Sequence, residues 1–189
     1  MDKFTNNENK ATLVEMQLTL IAAMSENHCV GQGDHLPWNL PDEWEYFKKT
    51  TDGKPFLVGR KSYEAPDGLY SSYRNVVVSS RDDLVLDHQP AEQAQSLEEA
   101  LEMLDDEEEV FVLGGVSIFK EMLPLADKLY LTIVHAIIEG DAFFPEIDWA
   151  NWEEVYSDRH EPDERHEHAF SMKRYVRSAG SGSSDSRRS

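Results

Sequence analysis

The segment best equipped for chemistry is Leu36-Pro37-Trp38-Asn39-Leu40-Pro41-Asp42-Glu43-Trp44-Glu45-Tyr46-Phe47-Lys48. Pro41 suits the first position of a helix, where its missing N–H costs nothing, and the helix is predicted to run to about Thr51 with Asn39 or Leu40 near its cap. On that helix Glu43 and Phe47 are four residues apart and share a face, and Trp44 lies three residues before Phe47. Glu43 therefore reads as a carboxylate beside an aromatic cluster. Desolvation of its charged form would raise its pKa, and its two oxygens could accept hydrogen bonds from a planar, amidine-like edge. On this helix alone a plainer reading competes and is the stronger one: a first-turn acid favoured by the helix dipole. That reading accounts better for Asp42 and Glu45.

Two further places suit anions. Leu113-Gly114-Gly115-Val116-Ser117-Ile118-Phe119 reads as strand, glycine pair and helix start, where backbone N–H groups could approach a pyrophosphate. It falls short of a full G-x-G-x-x-G fingerprint, and a tight strand-to-helix turn explains it as well. Gly59-Arg60-Lys61-Ser62 and Ser79-Ser80-Arg81 place basic residues beside hydroxyls at two other strand ends, a set fit for a ribose phosphate. Each taken singly is ordinary surface charge. The run from Arg159 to His168 tempts a metal reading, but it matches no structural zinc spacing and no cysteine assists it. It is expected to be a solvated loop, and no metal site is expected in the chain. Cys29 is expected to be packed rather than nucleophilic.

The elements that must position these residues alternate. Strands are predicted at Leu18–Met24, Pro55–Gly59, Asn75–Ser79, Val110–Leu113 and Lys128–Val134. A long loop runs from Ser25 to Leu40. A second helix begins behind Ser96, with Glu99 completing a capping box, and a third spans Ser117–Leu123. Trp152–Tyr156 and Ala169–Val176 read as an antiparallel pair. The expected fold is an α/β three-layer sandwich around one central, mostly parallel sheet with an antiparallel C-terminal edge. Residues 1–15 read as a solvated extension, 16–177 as one domain and 178–189 as a disordered polar tail.

Composition narrows the classes further. Asp and Glu number 37 against 18 Lys and Arg, a formal net charge of −19. Such a chain repels nucleic acid and anionic membrane. The acids are spread along the chain rather than gathered in one tail, which favours adaptation to a very salty cytoplasm over an acidic docking patch or a cation-binding surface. No stretch of about 18 apolar residues offers a membrane span, and the first fifteen residues do not resemble an export signal. A single cysteine excludes an intrachain disulfide, so a reducing, cytoplasmic setting is expected.

Taken in order, Ile21-Ala22-Ala23, Val30-Gly31, Leu36 to Pro41, Val58 to Ser62, Val77 to Ser80, Leu113-Gly114-Gly115, Pro124, Lys128 to Thr132 and Glu139 to Pro145 resemble the blocks of dihydrofolate reductase, from about Gln17 to Val176. With the acidic composition, the likeness suggests a member of that family from a salt-loving archaeon. The resemblance implies NADPH-dependent reduction of 7,8-dihydrofolate to tetrahydrofolate, by hydride transfer to C6 with protonation of N5. It makes Glu43 the active-site carboxylate, supported by Thr132 and by Trp38, which would help to order a water. Ile21, Ala22, Ala23, Leu36, Trp44, Phe47 and Leu113 would line the substrate pocket.

Ala23, Val30 and Gly31 would meet the nicotinamide. Leu113, Gly114, Gly115, Val116, Ser117, Ile118 and Phe119 would bound its ribose and the pyrophosphate. Gly59, Arg60, Lys61 and Ser62, with Val78, Ser79, Ser80 and Arg81, would take the remaining phosphates of NADPH. In this family the bond between the two glycines is often cis. The Ser25–Leu40 loop would be a mobile lid, and Asp141 a residue that hydrogen-bonds to it.

Three departures stand out. Val116 replaces a usual third glycine, and Trp44 replaces a smaller aliphatic residue. The arginine expected to grip the glutamate tail of the substrate falls at Tyr73, with Arg74 beside it. A one-residue slip turns an extended side chain to the other face, so Arg74 serves only if the loop is realigned. The expected partner is a small molecule, the chain is expected to be a monomer, and neither nucleic acid nor membrane is expected. The competing readings are a pyrimidine reductase of riboflavin synthesis on the same fold, a non-catalytic folate- or nucleotide-binding protein, and an acidic interaction module.

Overall fold

The architecture follows from strict alternation along five buried strands. The computed structural model describes residues 15–180, so nearly all of the extension and most of the tail read from sequence lie outside the described residues. In chain order the elements are β1 (Gln17–Ser25), β2 (Cys29–Gly31), α1 (Pro41–Thr51), β3 (Pro55–Gly59), α2 (Arg60–Tyr63), β4 (Arg74–Val78) and β5 (Ala91–Ala94). They continue with α3 (Leu97–Met103), β6 (Glu109–Val112), α4 (Val116–Met122), β7 (Lys128–Val134), β8 (Ala142–Phe143), β9 (Trp152–His160) and β10 (Phe170–Arg177).

Eight strands form one sheet in the order β5-β4-β3-β6-β1-β7-β10-β9. The pairs from β5 through β7 are parallel, and β10 is antiparallel to both β7 and β9. Successive side chains on a strand point to opposite faces. One face carries Leu18, Leu20, Leu57, Val76, Val110, Val112, Leu129 and Leu131, and packs against Ala100 of α3, Leu104 just after it, and Ile118, Phe119 and Met122 of α4. The other face carries Ile21, Phe56 and Phe111, and packs against Phe47 and Trp44 of α1. Helices therefore cover both sides of the sheet, which is the expected sandwich.

The same alternation puts Thr132 on the α1 face: it follows Leu131 on β7 and pairs in register with Ala23 of β1. The start of α1 behaves as its sequence dictates. Pro41 occupies the first turn, Asp42 and Glu43 sit where the helix dipole favours acids, and Lys48 and Lys49 fall in the last turn. Leu40 is the N-cap and is buried, without a side-chain cap bond. Of the capping box expected on α3 one half forms as written, the Glu99 N–H donating to Ser96 Oγ at 3.1 Å, while Glu99 Oε2 accepts from the Gln95 N–H at 2.6 Å, one residue before the N-cap.

Several elements differ from expectation. The edge strand β5, Ala-Glu-Gln-Ala, is polar and was not visible as a strand; it is held by parallel pairing with β4. The β9 strand runs on to His160 rather than stopping at Tyr156, and most of it is exposed because it lies at the sheet edge. The long loop is also less irregular than expected, since β2 within it pairs with β8.

Candidate active site

A cleft of about 1520 Å³ crosses the carboxyl ends of β1, β3, β4 and β6. Open sheets of this kind present ligand sites at those ends. At one end of the cleft Ile21, Ala22 and Ala23 of β1, Glu43, Trp44 and Phe47 of α1, and Leu36 and Leu113 form the wall. Trp44 meets Phe47 edge-on with centroids 6.2 Å apart, and Phe47 meets Phe56 at 6.0 Å, so the aromatic cluster read from sequence is real.

Glu43 sits within that wall. The Thr132 hydroxyl donates to Glu43 Oε1 at 3.2 Å. Part of the residue opens on the cleft, yet protein surrounds the carboxyl closely enough that burial pushes its pKa up to about 7, while the Thr132 hydrogen bond pulls in the opposite direction. Trp38 packs beside Leu40 and Phe170 instead of lining the cleft. Its buried Nε1–H finds no acceptor among the described residues.

At the other end Gly59, Arg60, Lys61 and Ser62 meet Val78, Ser79, Ser80 and Arg81 across the β3 and β4 ends. Gly115, Val116, Ser117, Ile118 and Phe119 close that end, and Ala23, Val30 and Gly31 lie between the two halves. Backbone approach is close here. The Gly59 N–H donates to the Gly114 carbonyl at 2.6 Å, and the Gly114–Gly115 peptide bond is cis. Gly114 has φ of +97°, and a Cβ there would press into the Phe119 ring, so only glycine suits the position. Gly114 turns its carbonyl to Gly59 and is the one residue of its group that does not line the cleft. Arg60 pairs with Glu64, and Arg81 pairs with Asp83 through two bonds of 2.7 and 2.6 Å.

Two residues of the Ser25–Leu40 loop are tied down by Asp141. Both of its carboxylate oxygens accept from the Gly33 N–H, at 3.1 and 3.0 Å, and its own N–H donates to the Gly31 carbonyl. The structure corrects two expectations. Arg74 is not brought to the cleft. It opens β4 and is engaged by Glu92, Asp106 and Glu107 at 3.0, 3.3 and 3.2 Å, while Tyr73 is exposed with its hydroxyl toward Glu107. The Arg159–His168 run is not simply a solvated loop, because His166 within it is fully buried. Sequence reading missed Gln95, Ser96, Leu97 and Glu98, which line the cleft from the start of α3, and His35, which meets Asp67 across its mouth at 3.1 Å. It also missed the cation of Lys48, 5.8 Å over the Trp44 ring; the spacing of four residues was the available signal.

Glycine walls and paired cations at one end of a strand-end cleft, with a desolvated carboxylate at the other, define a small α/β enzyme of the nucleotide-binding kind. The chain belongs to the dihydrofolate reductase family, whose family model matches residues 17–177. It is 42% identical over 141 residues to a dihydrofolate reductase of Neisseria meningitidis, covering 74% of this chain and 86% of that protein. It is 35% identical over 158 residues to dihydrofolate reductase of Bacillus subtilis, covering 84% and 93%. Among solved structures it resembles dihydrofolate reductase from Enterococcus faecalis complexed with NADP(H) and RAB-propyl. There the TM-score is 0.77 at 33% identity, over 86% of this chain and 97% of that one. These relatives are bacterial and lend no support to an archaeal source.

Proposed function

We propose that the chain reduces 7,8-dihydrofolate to 5,6,7,8-tetrahydrofolate with NADPH, and that Glu43, Thr132 and Trp38 carry the proton side of the reaction. The observation that carries this reading is the Thr132-held Glu43 carboxyl, desolvated in the cleft wall with its pKa near neutrality. A carboxyl poised there exchanges between accepting hydrogen bonds and holding a proton at working pH. As a carboxylate it can grip the 2-amino group and adjacent ring nitrogen of a pterin through both oxygens. As an acid it holds a proton within the cleft for N5. Thr132 fixes the orientation of the carboxyl, and the buried Trp38 N–H, without an acceptor among the described residues, would donate to a water behind the cleft wall. Ile21, Ala22, Ala23, Leu36, Trp44, Phe47 and Leu113 supply apolar surface that excludes bulk water from the pterin.

NADPH, when bound, supplies the hydride. The opposite end of the cleft fits it on two counts. Gly59, Gly114 and Gly115 leave backbone where a Cβ would intrude, since one on Gly115 would lie 3.2 Å from Ser62 Oγ. Among the described residues the guanidiniums of Arg60 and Arg81 are paired with exposed carboxylates, which a phosphate can displace. Lys61, Ser62, Ser79 and Ser80 complete that set. Ala23, Val30 and Gly31 would face the nicotinamide, Val78 would flank the phosphates, and Leu113 with Val116, Ser117, Ile118 and Phe119 would bound the ribose and pyrophosphate. The free, buried Cys29 and the dispersed acids support work in a reducing, salt-rich cytoplasm, and the chain is taken to act as a monomer.

The test is NADPH oxidation, followed at the reduced-nicotinamide absorbance, with and without 7,8-dihydrofolate, from low salt to multimolar KCl. Dihydrofolate-dependent oxidation lost in Glu43→Ala is the expected result. Equal rates in the variant, or NADPH binding without turnover at any salt, would refute the assignment.

A further inference from the structure

The segment after β9 folds back onto the start of α1 and gathers side chains that the cleft does not use. Asp42, His160 and His166 each offer a ligand atom, and these atoms all lie within 4.8 Å of one another. His160 Nε2 is 3.3 Å from Asp42 Oδ2, and His166 Nε2 is 3.7 Å from Asp42 Oδ1. Two ligand atoms each about 2.1 Å from a tetrahedral zinc ion stand roughly 3.4 Å apart, so these spacings suit one shared ion.

Both rings are fixed. His166 is fully buried, and its Nδ1 lies 2.7 Å from Asp163 Oδ1, an oxygen that also accepts the backbone N–H groups of Arg165 and His166. That contact places the proton on Nδ1 and leaves the Nε2 lone pair facing Asp42. A carboxylate behind a histidine is the usual support for a metal-binding imidazole. His160 stacks on Phe170 with 8° between the planes, and its Nε2 faces Asp42 and Asp163. The groups an ion must displace are few. The Asp42 N–H reaches His166 Nε2 at 3.3 Å, and Arg165 Nη1 reaches Asp42 Oδ1 at 2.9 Å from a side chain that is 57% exposed and able to swing away. Two carboxylates against one guanidinium leave the cluster with a net negative charge before an ion enters.

We propose that Asp42, His160 and His166 form a binding site for a zinc-like divalent transition metal, with Asp163 as the support behind His166. Two imidazoles and a carboxylate are the borderline nitrogen and oxygen donors that such ions prefer over magnesium or calcium. The bound ion clips the β9–β10 end of the sheet to the first turn of α1. It does not depend on the reductase reading.

The full chain, stripped with a chelator and held in molar KCl to screen the acidic surface, is titrated with Co²⁺ as an optical probe and then with Zn²⁺. The expected result is one Co²⁺ per chain with the visible absorption of a four-coordinate site, displacement by Zn²⁺, and a Zn²⁺-dependent rise in Tm. His160→Ala, a substitution at a position 27% exposed, should abolish the absorption and the Tm rise. Asp163→Asn should weaken binding by about 10–100-fold. Dissociation constants no tighter than millimolar in the unaltered chain, or equal binding in His160→Ala, would overturn the proposal and assign the ion to scattered surface acids.

Discussion

Glu43 serves two ends that oppose one another. Its place in the cleft wall suits the proton role proposed for it because burial holds its pKa near 7, and the same burial makes the ionised form costly to the fold. The folded pKa lies above the ordinary value of 4.5, so the protonated form is the one the fold favours. Stability from this group is complete below about pH 4.5 and is lost as pH rises through 7. Replacing Glu43 by Gln should therefore stabilise the chain at pH 8 by about 1–3 kcal/mol and leave it unchanged at pH 4. Chemical denaturation at the two pH values, with a chelator present, checks this; a variant less stable at pH 8 would contradict it. The same substitution should lower turnover by about 10²–10⁴-fold. In the unaltered chain the hydride-transfer rate should fall as pH rises through 7. Thr132→Val removes a bond that favours the carboxylate and should move that midpoint upward, which stopped-flow profiles can read.

Elements decide which of the legible residues reach the cleft. The helix α1 was legible because Pro41, its first-turn acids and its last-turn lysines all mark the same boundaries, so Glu43, Trp44 and Phe47 fell where spacing put them. The strands β1, β6 and β7 were equally plain as apolar runs, but the side of the sheet on which Thr132 meets Glu43 came only from the family resemblance and from the folded register. What could not be read depended on contacts distant in sequence. The β5 strand has no apolar pattern of its own and exists because β4 offers it an edge. His166 is buried only because α1 and β10 close over it, through Asp42 and Phe170. Arg74 had an alternative partner set that sequence could not display. Arg74→Ala should leave the KM for dihydrofolate unchanged and cost about 1–3 kcal/mol of stability, since Glu107 is then left half-enclosed without its cation. A raised KM with unchanged stability would return Arg74 to the substrate site. The loop expected to act as a lid belongs to this scale too. Asp141→Ala removes both acceptors from the Gly33 N–H and should slow the step in which the loop closes or releases product, with little effect on equilibrium NADPH affinity. Pre-steady-state kinetics separate that from a change in chemistry.

At the scale of the whole molecule, charge is the property that no single contact explains. A net charge of −19 on 189 residues loads the folded state with self-repulsion that the unfolded chain relieves by expanding. Local pairing offsets little of it. Arg74 is shared among three carboxylates, and Arg60, Arg81 and Arg159 are each held by an acid within four residues in sequence. Exposed pairs of that sort contribute on the order of 0–1 kcal/mol each. Screening is the remaining route. The Debye length is about 10 Å at 0.1 M salt and about 3 Å at 1 M, so neighbouring surface acids feel one another in the first case and hardly at all in the second. Stability should therefore climb steeply from 0.05 to 1 M KCl and flatten beyond, where screening is nearly complete. Binding at the basic end of the cleft should move the other way, because the attraction of Arg60, Lys61 and Arg81 for phosphate is screened by the same ions. The KM for NADPH should then rise with salt while Tm rises, giving an activity optimum at intermediate to high KCl. Melting curves and NADPH titrations across the same salt series would decide it. A Tm indifferent to KCl would mean that the acids are spaced too widely to repel, and the salt-adapted reading of the composition would fall with it.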